Sequence, residues 1–295
     1  MTDPLTALTN INLNDLVSAF GFQKLPVLAS VLRRVFYAPA HKFAAQMLDF
    51  DRVIAERNLP NAARHSLYHF LRDLEIFDHE NVPTTGPVLF LSNHPGMTDT
   101  LCLFAAIGRP DLRIFALDRP FLQSLPNMSK QLLYLNDNPN ERSHAVKHAA
   151  NHLRNGGSML TFPAGTIEPD PDVSSGAAQS LATWTDSAGV FMRFAPETQI
   201  VPVLVRGVLW DKALKHPLTW IRSKTKDREW LGTSLQLLSG LIFDTRPVTA
   251  RVQFARPISA ADVDPRNMAA IHALVLERMR GLIENPPTQK GLAVL

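Results

Sequence analysis

Residues 88–104 read VLFLSNHPGMTDTLCLF. An apolar run, Val88 to Ser92, stops at Asn93-His94. Pro95-Gly96 then turns the chain, and a second apolar stretch follows Asp99. A short apolar run closed by turn residues is the pattern of a strand buried on both faces, and TDTLCLFAAIG (98–108) has the length and composition of a helix. Strand, polar turn and helix in that order point to an α/β fold.

The alternation continues downstream. RIFAL (113–117), QLLYL (131–135), SMLTF (158–162), IVPVLV (200–205) and VTARVQF (248–254) predict strands, while RSHAVKHAANHLRNGG (142–157) and MAAIHALVLERMRGLIE (268–284) predict helices. The expected architecture is a central mixed, largely parallel sheet flanked by helices. Upstream, residues 12–80 show apolar spacings of three and four. Pro26, Pro39 and Pro60 separate the segments and no β run stands out. The chain therefore divides into a helical N-terminal region, 1–84, and an α/β domain, 85–295.

Composition narrows the function. The chain has 295 residues, 45% hydrophobic and 19% charged, enough to bury a core without staples. Cys102 is the single cysteine, so no intramolecular disulfide forms and a reducing, cytoplasmic setting is expected. No CxxC or Cys/His spacing suggests zinc. A net charge of +3 does not indicate a nucleic-acid partner. That charge is concentrated in DKALKHPLTWIRSKTKDREW (211–230), which holds six Lys/Arg against three acids and, with Trp210 ahead of it, is punctuated by Trp210, Trp220 and Trp230. Tryptophan with Lys/Arg suits a membrane interface, and LPVLASVLRRVFYA (25–38) is a second candidate. No apolar run approaches the roughly 20 residues of a membrane span, and the acidic N-terminus lacks the basic start of a signal peptide. The expectation is a protein that is soluble or peripheral on the cytoplasmic membrane face.

In open parallel sheets, sites form beyond the carboxyl ends of strands. Two polar turns lie at such ends. In the first, His94 and Asp99 read either as ordinary turn and helix-start residues or as a base and the carboxylate that orients it. The helix N-terminus would keep the imidazole neutral. No G-x-S-x-G elbow supplies a nucleophile, so the pair suits direct activation of a substrate hydroxyl. The second turn, TFPAGTIEPD (161–170), offers backbone N–H groups and the Thr166 hydroxyl to a ligand, or simply ends a strand. His144, His148 and His152 recur every four residues, but Val146, Ala149, Ala150 and Leu153 form the apolar stripe of that helix. The histidines are expected on its solvent face, binding no metal. Cys102, three residues after Asp99, reads as a core cysteine.

The two turns together resemble the glycerolipid acyltransferase family, of the lysophosphatidate acyltransferase type. That family carries N-H-x-x-x-x-D at a strand end, matched by Asn93 to Asp99. About seventy residues on it carries F-P-E-G-T, matched by Phe162-Pro163-Ala164-Gly165-Thr166, and the Pro-centred strand IVPVLVRG (200–207) is a third match. The resemblance spans roughly residues 85–260 and makes 85–295 the acyltransferase domain. It implies that His94 is a general base, that Asp99 orients it, and that an acceptor hydroxyl attacks an acyl-CoA or acyl carrier protein thioester without an acyl-enzyme. It also implies no cofactor beyond that co-substrate. Asn93, Phe162, Pro163, Gly165 and Thr166 are the expected substrate-binding residues, with Arg119 and Arg142 as candidates for an anionic group.

Three departures stand out. Ala164 replaces the family's Glu, and Ile167-Glu168, then Asp170 and Asp172, replace its basic residue. Asn136 and Asp137 stand where an Arg is common. Acids beside a phosphate are unfavourable, and the F-P-A-G form is similar to the haemolysin-related branch, so the acceptor is expected to be a lyso-lipid with another headgroup. Two other classes remain open at this level: a thioesterase or lipase-like hydrolase using the same base, and a non-catalytic lipid-binding relative.

Overall fold

A computed structural model of the chain describes residues 3–135 and 138–295. Its centre is one eight-stranded sheet: β1 Asp73–Phe77, β2 Val88–Ser92, β3 Leu112–Leu117, β4 Leu132–Leu135, β5 Ser158–Thr161, β6 Gln199–Arg206, β7 Thr249–Phe254 and β8 Leu292–Ala293. The spatial order is β4-β3-β5-β2-β6-β7-β1-β8. The first five strands in that order run parallel, β7 is antiparallel to β6, β1 is parallel to β7, and β8 closes the edge antiparallel to β1. The largely parallel α/β architecture is as the alternation of strands and helices predicts.

The helices follow from the same sequence patterns: α1 Pro4–Phe20, α2 Pro26–Val35, α3 Tyr37–Glu56, α4 Leu59–Leu67, α5 Asp99–Ile107, α6 Pro139–Arg154, α7 Ser187–Phe194, α8 Thr225–Phe243 and α9 Met268–Glu284. Several begin with proline in the first turn, where its missing N–H costs nothing. Strand side chains alternate between two cores. Val88, Phe90, Val201, Val203 and Val205 face α3, α4 and α5, while Leu89, Leu91, Ile200 and Leu204 face α6, α7 and α9. The first core runs without a break from Leu8 and Ala44 into the sheet, so the N-terminal helices form one of its covering layers.

Two parts of the fold differ from the sequence reading. Residues 73–77, within a stretch expected to be helical, form β1 and so lie in the sheet ahead of residue 85. Leu67, Leu71 and Leu74 continue a spacing that imitates a helix, but α4 ends at Leu67 and the Arg72 N–H donates to Val248 O at the start of the β7 pairing. Partner strands remote in sequence decide this segment, which local periodicity cannot register. Residues 225–243, unassigned from sequence, form α8.

Phe90 sits in the middle of β2 with no exposure and packs edge-on against Phe254 of β7. Phe90→Ala should lower unfolding free energy by about 3–5 kcal/mol in a urea titration. A loss below about 1 kcal/mol would mean that β2 is not the packed centre described.

Candidate active site

β2 is hydrogen-bonded on both sides, to β5 and β6, and ends at Ser92. Asn93 extends the ladder with its side chain: Nδ2 donates to Val205 O and Oδ1 accepts from the Val205 N–H, both at 2.8 Å. The residue is buried and its amide is occupied on both ends. It is placed to fix the start of the turn. Gly96 at φ 91° and Met97 at φ 55° then reverse the chain. A non-glycine residue in that region carries strain, and the compact turn it permits delivers Asp99 to His94.

Asp99 is buried at the first position of α5. Its Oδ2 accepts from His94 Nδ1 at 2.7 Å and from the Gly96 N–H at 2.7 Å, while Oδ1 faces the N–H and hydroxyl of Thr100. The two readings of this turn therefore coincide: Asp99 is a helix-start acid and the partner of His94. With Nδ1–H engaged, neutral His94 leaves Nε2 without a proton and able to accept one. The imidazole is 29% exposed.

The second turn folds onto the first. The Phe162 ring stacks on the His94 ring, centroids 4.3 Å apart and planes at 21°. The Gly165 N–H, expected to be available to a ligand, donates to Phe162 O at 3.0 Å, with Gly165 at φ 63°. Pro163 is buried and its carbonyl accepts from the Thr185 N–H, whereas Gly165, Thr166 and Ile167 form an exposed tip. Glu168 then returns to His94. Its N–H donates to His94 O at 2.9 Å, and its Oε2 accepts from the His94 N–H at 3.1 Å.

The acids after the FPAGT block do not line an open surface. Glu168 Oε1 accepts from Trp184 Nε1 at 2.8 Å and Ser180 Oγ at 2.9 Å. Asp170 accepts from the backbone N–H groups of Gly207, Val208 and Leu209. Asp172 faces Arg206 and Arg251. Glu168 and Asp170 are buried, and every carboxylate of the three is bound by the protein. Sequence reasoning missed the part played by Glu168, Ser180 and Trp184, and no spacing rule could have joined residues 94, 168 and 184.

Burial alone pushes the His94 imidazole down, but the charge and hydrogen bond of Asp99, helped by Glu168, outweigh it, so its pKa lies above the ordinary value. The neutral preference expected from the helix N-terminus does not dominate, since a carboxylate in contact outweighs partial charges. Arg119, exposed after β3, is close enough for its charge to oppose protonation of His94, which places it on the site's side of the sheet. Arg142 lies exposed in the first turn of α6 and takes no part in the contacts that join the two turns. Asn136 and Asp137 lie outside the described residues.

Cys102 is buried below Asp99, and desolvation pushes its thiol up, which removes it as a nucleophile. His144 and His148 are exposed, but His152 departs from the expected solvent face: its Nε2 donates to Asp111 O at 2.8 Å, beside Gly157. Among the described residues, no three His, Cys, Asp or Glu side chains converge as a metal site.

Residues 73–206 match the family model described as Acyltransferase. This segment is similar to the Acyltransferase family. The match begins at the first residue of β1 and ends at the last of β6, enclosing both turns. The crystal structure of the 1-acyl-sn-glycerophosphate (LPA) acyltransferase PlsC from Thermotoga maritima aligns over 95% of this chain and 98% of its own, with 16% identity and a TM-score of 0.45. No curated protein matches the chain.

The site yields a measurement independent of turnover. An NMR titration should show His94 with a pKa above the unperturbed imidazole value of about 6.5. Asp99→Asn, by removing the charge that favours imidazolium, should lower it. An imidazole titrating at or below the ordinary value in the parent protein, or unmoved by Asp99→Asn, would contradict this electrostatic account.

Proposed function

We propose that this acyltransferase moves a fatty acyl group from an acyl thioester, acyl-CoA or acyl carrier protein, to a hydroxyl of a lyso-lipid or related glycerolipid acceptor. The observation that carries the reading is the 2.7 Å bond from His94 Nδ1 to Asp99 Oδ2 at the end of β2. It holds one tautomer and leaves Nε2 to receive a proton. His94 Nε2 takes the proton of the acceptor hydroxyl as its oxygen attacks the thioester carbonyl carbon. The tetrahedral intermediate collapses, the C–S bond breaks, and imidazolium returns the proton to the departing sulfur. Asp99 stabilises the imidazolium while it exists. The buried, high-pKa Cys102 agrees with direct transfer. The exposed Gly165-Thr166 tip would border the acceptor, and Arg119, whose charge reaches His94, suits an anionic headgroup.

A lipid acceptor requires access to a bilayer. None of the helices among the described residues is long and apolar enough to cross one. The surface instead offers a face suited to lying on it. α2 has no buried residue, although Val27, Leu28, Val31 and Val35 are apolar and exposed, with Arg33 and Arg34 in its last turn. Trp220 is 72% exposed beside exposed Leu218 and Ile221. The Arg222 guanidinium lies directly over Gly21, so the turn ahead of α2 touches the tryptophan segment. Trp210, by contrast, packs against the core, so the three tryptophans have different roles. Exposed apolar side chains followed in the chain by exposed Lys224, Lys226 and Arg228 fit an anionic membrane surface.

His94→Ala should reduce thiol release from acyl-CoA, followed with a panel of lyso-lipid acceptors, by about 10²–10⁴-fold while leaving thermal unfolding unchanged. A folded His94→Ala enzyme with parent activity would sink the assignment, and thiol release that ignores the acceptor would mark a hydrolase. The parent should also co-sediment with vesicles containing phosphatidylglycerol, and Val31→Asp with Trp220→Asp should abolish that binding. Undiminished binding by the double variant would rule out this face.

A further inference from the structure

We propose that Glu168 is a positioning residue of the transfer site, whose carboxylate and backbone N–H together clamp the main chain of His94. The inference rests on the reading of His94 as the base. Few residues are gripped as His94 is. Its N–H donates to Glu168 Oε2 and its C=O accepts from the Glu168 N–H, so one residue holds the backbone on both sides of the imidazole. The imidazole is then set by Asp99 through Nδ1 and by the stacked Phe162 ring. Glu168 is itself held, 4% exposed, by Trp184 Nε1 and Ser180 Oγ on its other oxygen. The backbone N–H of His94 and the indole N–H donate one to each oxygen, an arrangement that favours the ionised form. Its burial raises its pKa, and these donors, Trp184 foremost, work against that.

A buried charge is costly, and an apolar residue of similar shape would serve packing alone at least as well. The location gives this one a use. The clamp ties the turn after β5 to the turn after β2, and it sets a second negative charge beside the base. The charged groups around His94 are then Asp99 from α5, Glu168 from the turn after β5 and Arg119 from the segment after β3. The two carboxylates favour imidazolium and Arg119 opposes it.

The test is the pH dependence of acyl transfer in Glu168→Gln and Glu168→Asp, beside the parent and His94→Ala. The base acts when neutral, so the acid limb of kcat/KM follows the His94 pKa. Glu168→Gln removes a negative charge that favours imidazolium, so its limb should move to lower pH. Glu168→Asp keeps the charge but shortens the reach, so its limb should stay while kcat falls on the order of ten-fold or more with KM unchanged, as for a displaced base. A limb unmoved in Glu168→Gln, or parent kcat in Glu168→Asp, overturns the proposal. If Glu168→Gln does not fold, Ser180→Ala removes one donor from Oε1 and keeps the charge; it should lower kcat several-fold, and parent kcat there overturns the clamp equally. A parent enzyme without transfer, or an active His94→Ala, would refute the function itself. Intact His94 dependence with indifferent Glu168 variants would refute only the clamp.

Discussion

The parallel pairing of β2 with β5 on one side and β6 on the other is the constraint from which the site follows. Parallel neighbours end on the same side of a sheet, so the segments after Ser92, Thr161 and Arg206 must meet there. Residues about seventy apart then touch without any local sequence signal. Phe162 covers the imidazole, Glu168 holds its backbone, and Asn93 reaches across to Val205 to close the ladder. The buried strand is what makes this edge rigid. Val88 to Ser92 are all buried, and Phe90 locks the strand to β7 through Phe254.

Charge is handled at this edge by backbone as much as by ion pairs. Asp99, Glu168 and Asp170 each accept main-chain N–H groups, which stabilise an anion without a counter-ion that would compete for the base. The result is an imidazole whose pKa is raised by contact with a carboxylate in spite of partial burial. For a group acting as the proposed general base, a raised pKa strengthens proton acceptance but enlarges the protonated fraction near neutrality. Arg119 leans the other way, and an anionic substrate beside it would reduce its effect on His94.

Much of the fold was legible because its strands are short apolar runs and its helices carry clear spacing. VLFLS coincides with β2, and MAAIHALVLERMRGLIE coincides with α9. β1 was hidden, because Leu67, Leu71 and Leu74 imitate a helical face and only pairing with β7 makes residues 73–77 a strand. His94 and Asp99 were legible as a pair since five residues across a Pro-Gly turn is a local distance. Asn93 belonged to the same motif but turned inward, because an amide can stand in for a peptide group at a strand end.

By itself, then, the sequence determined the α/β alternation, the His94–Asp99 pair and the motif order shared with acyltransferases, since these depend on residues near one another or on their order. The tertiary structure alone decided that Glu168 and Asp170 are buried and accept backbone N–H groups, that Glu168 grips His94, and that the apolar side chains of α2 and Trp220 stay exposed. The physical reason is the same in each case: a side chain's partner and its exposure are set by which strands and helices adjoin, and that order is not written in the spacing of any single segment.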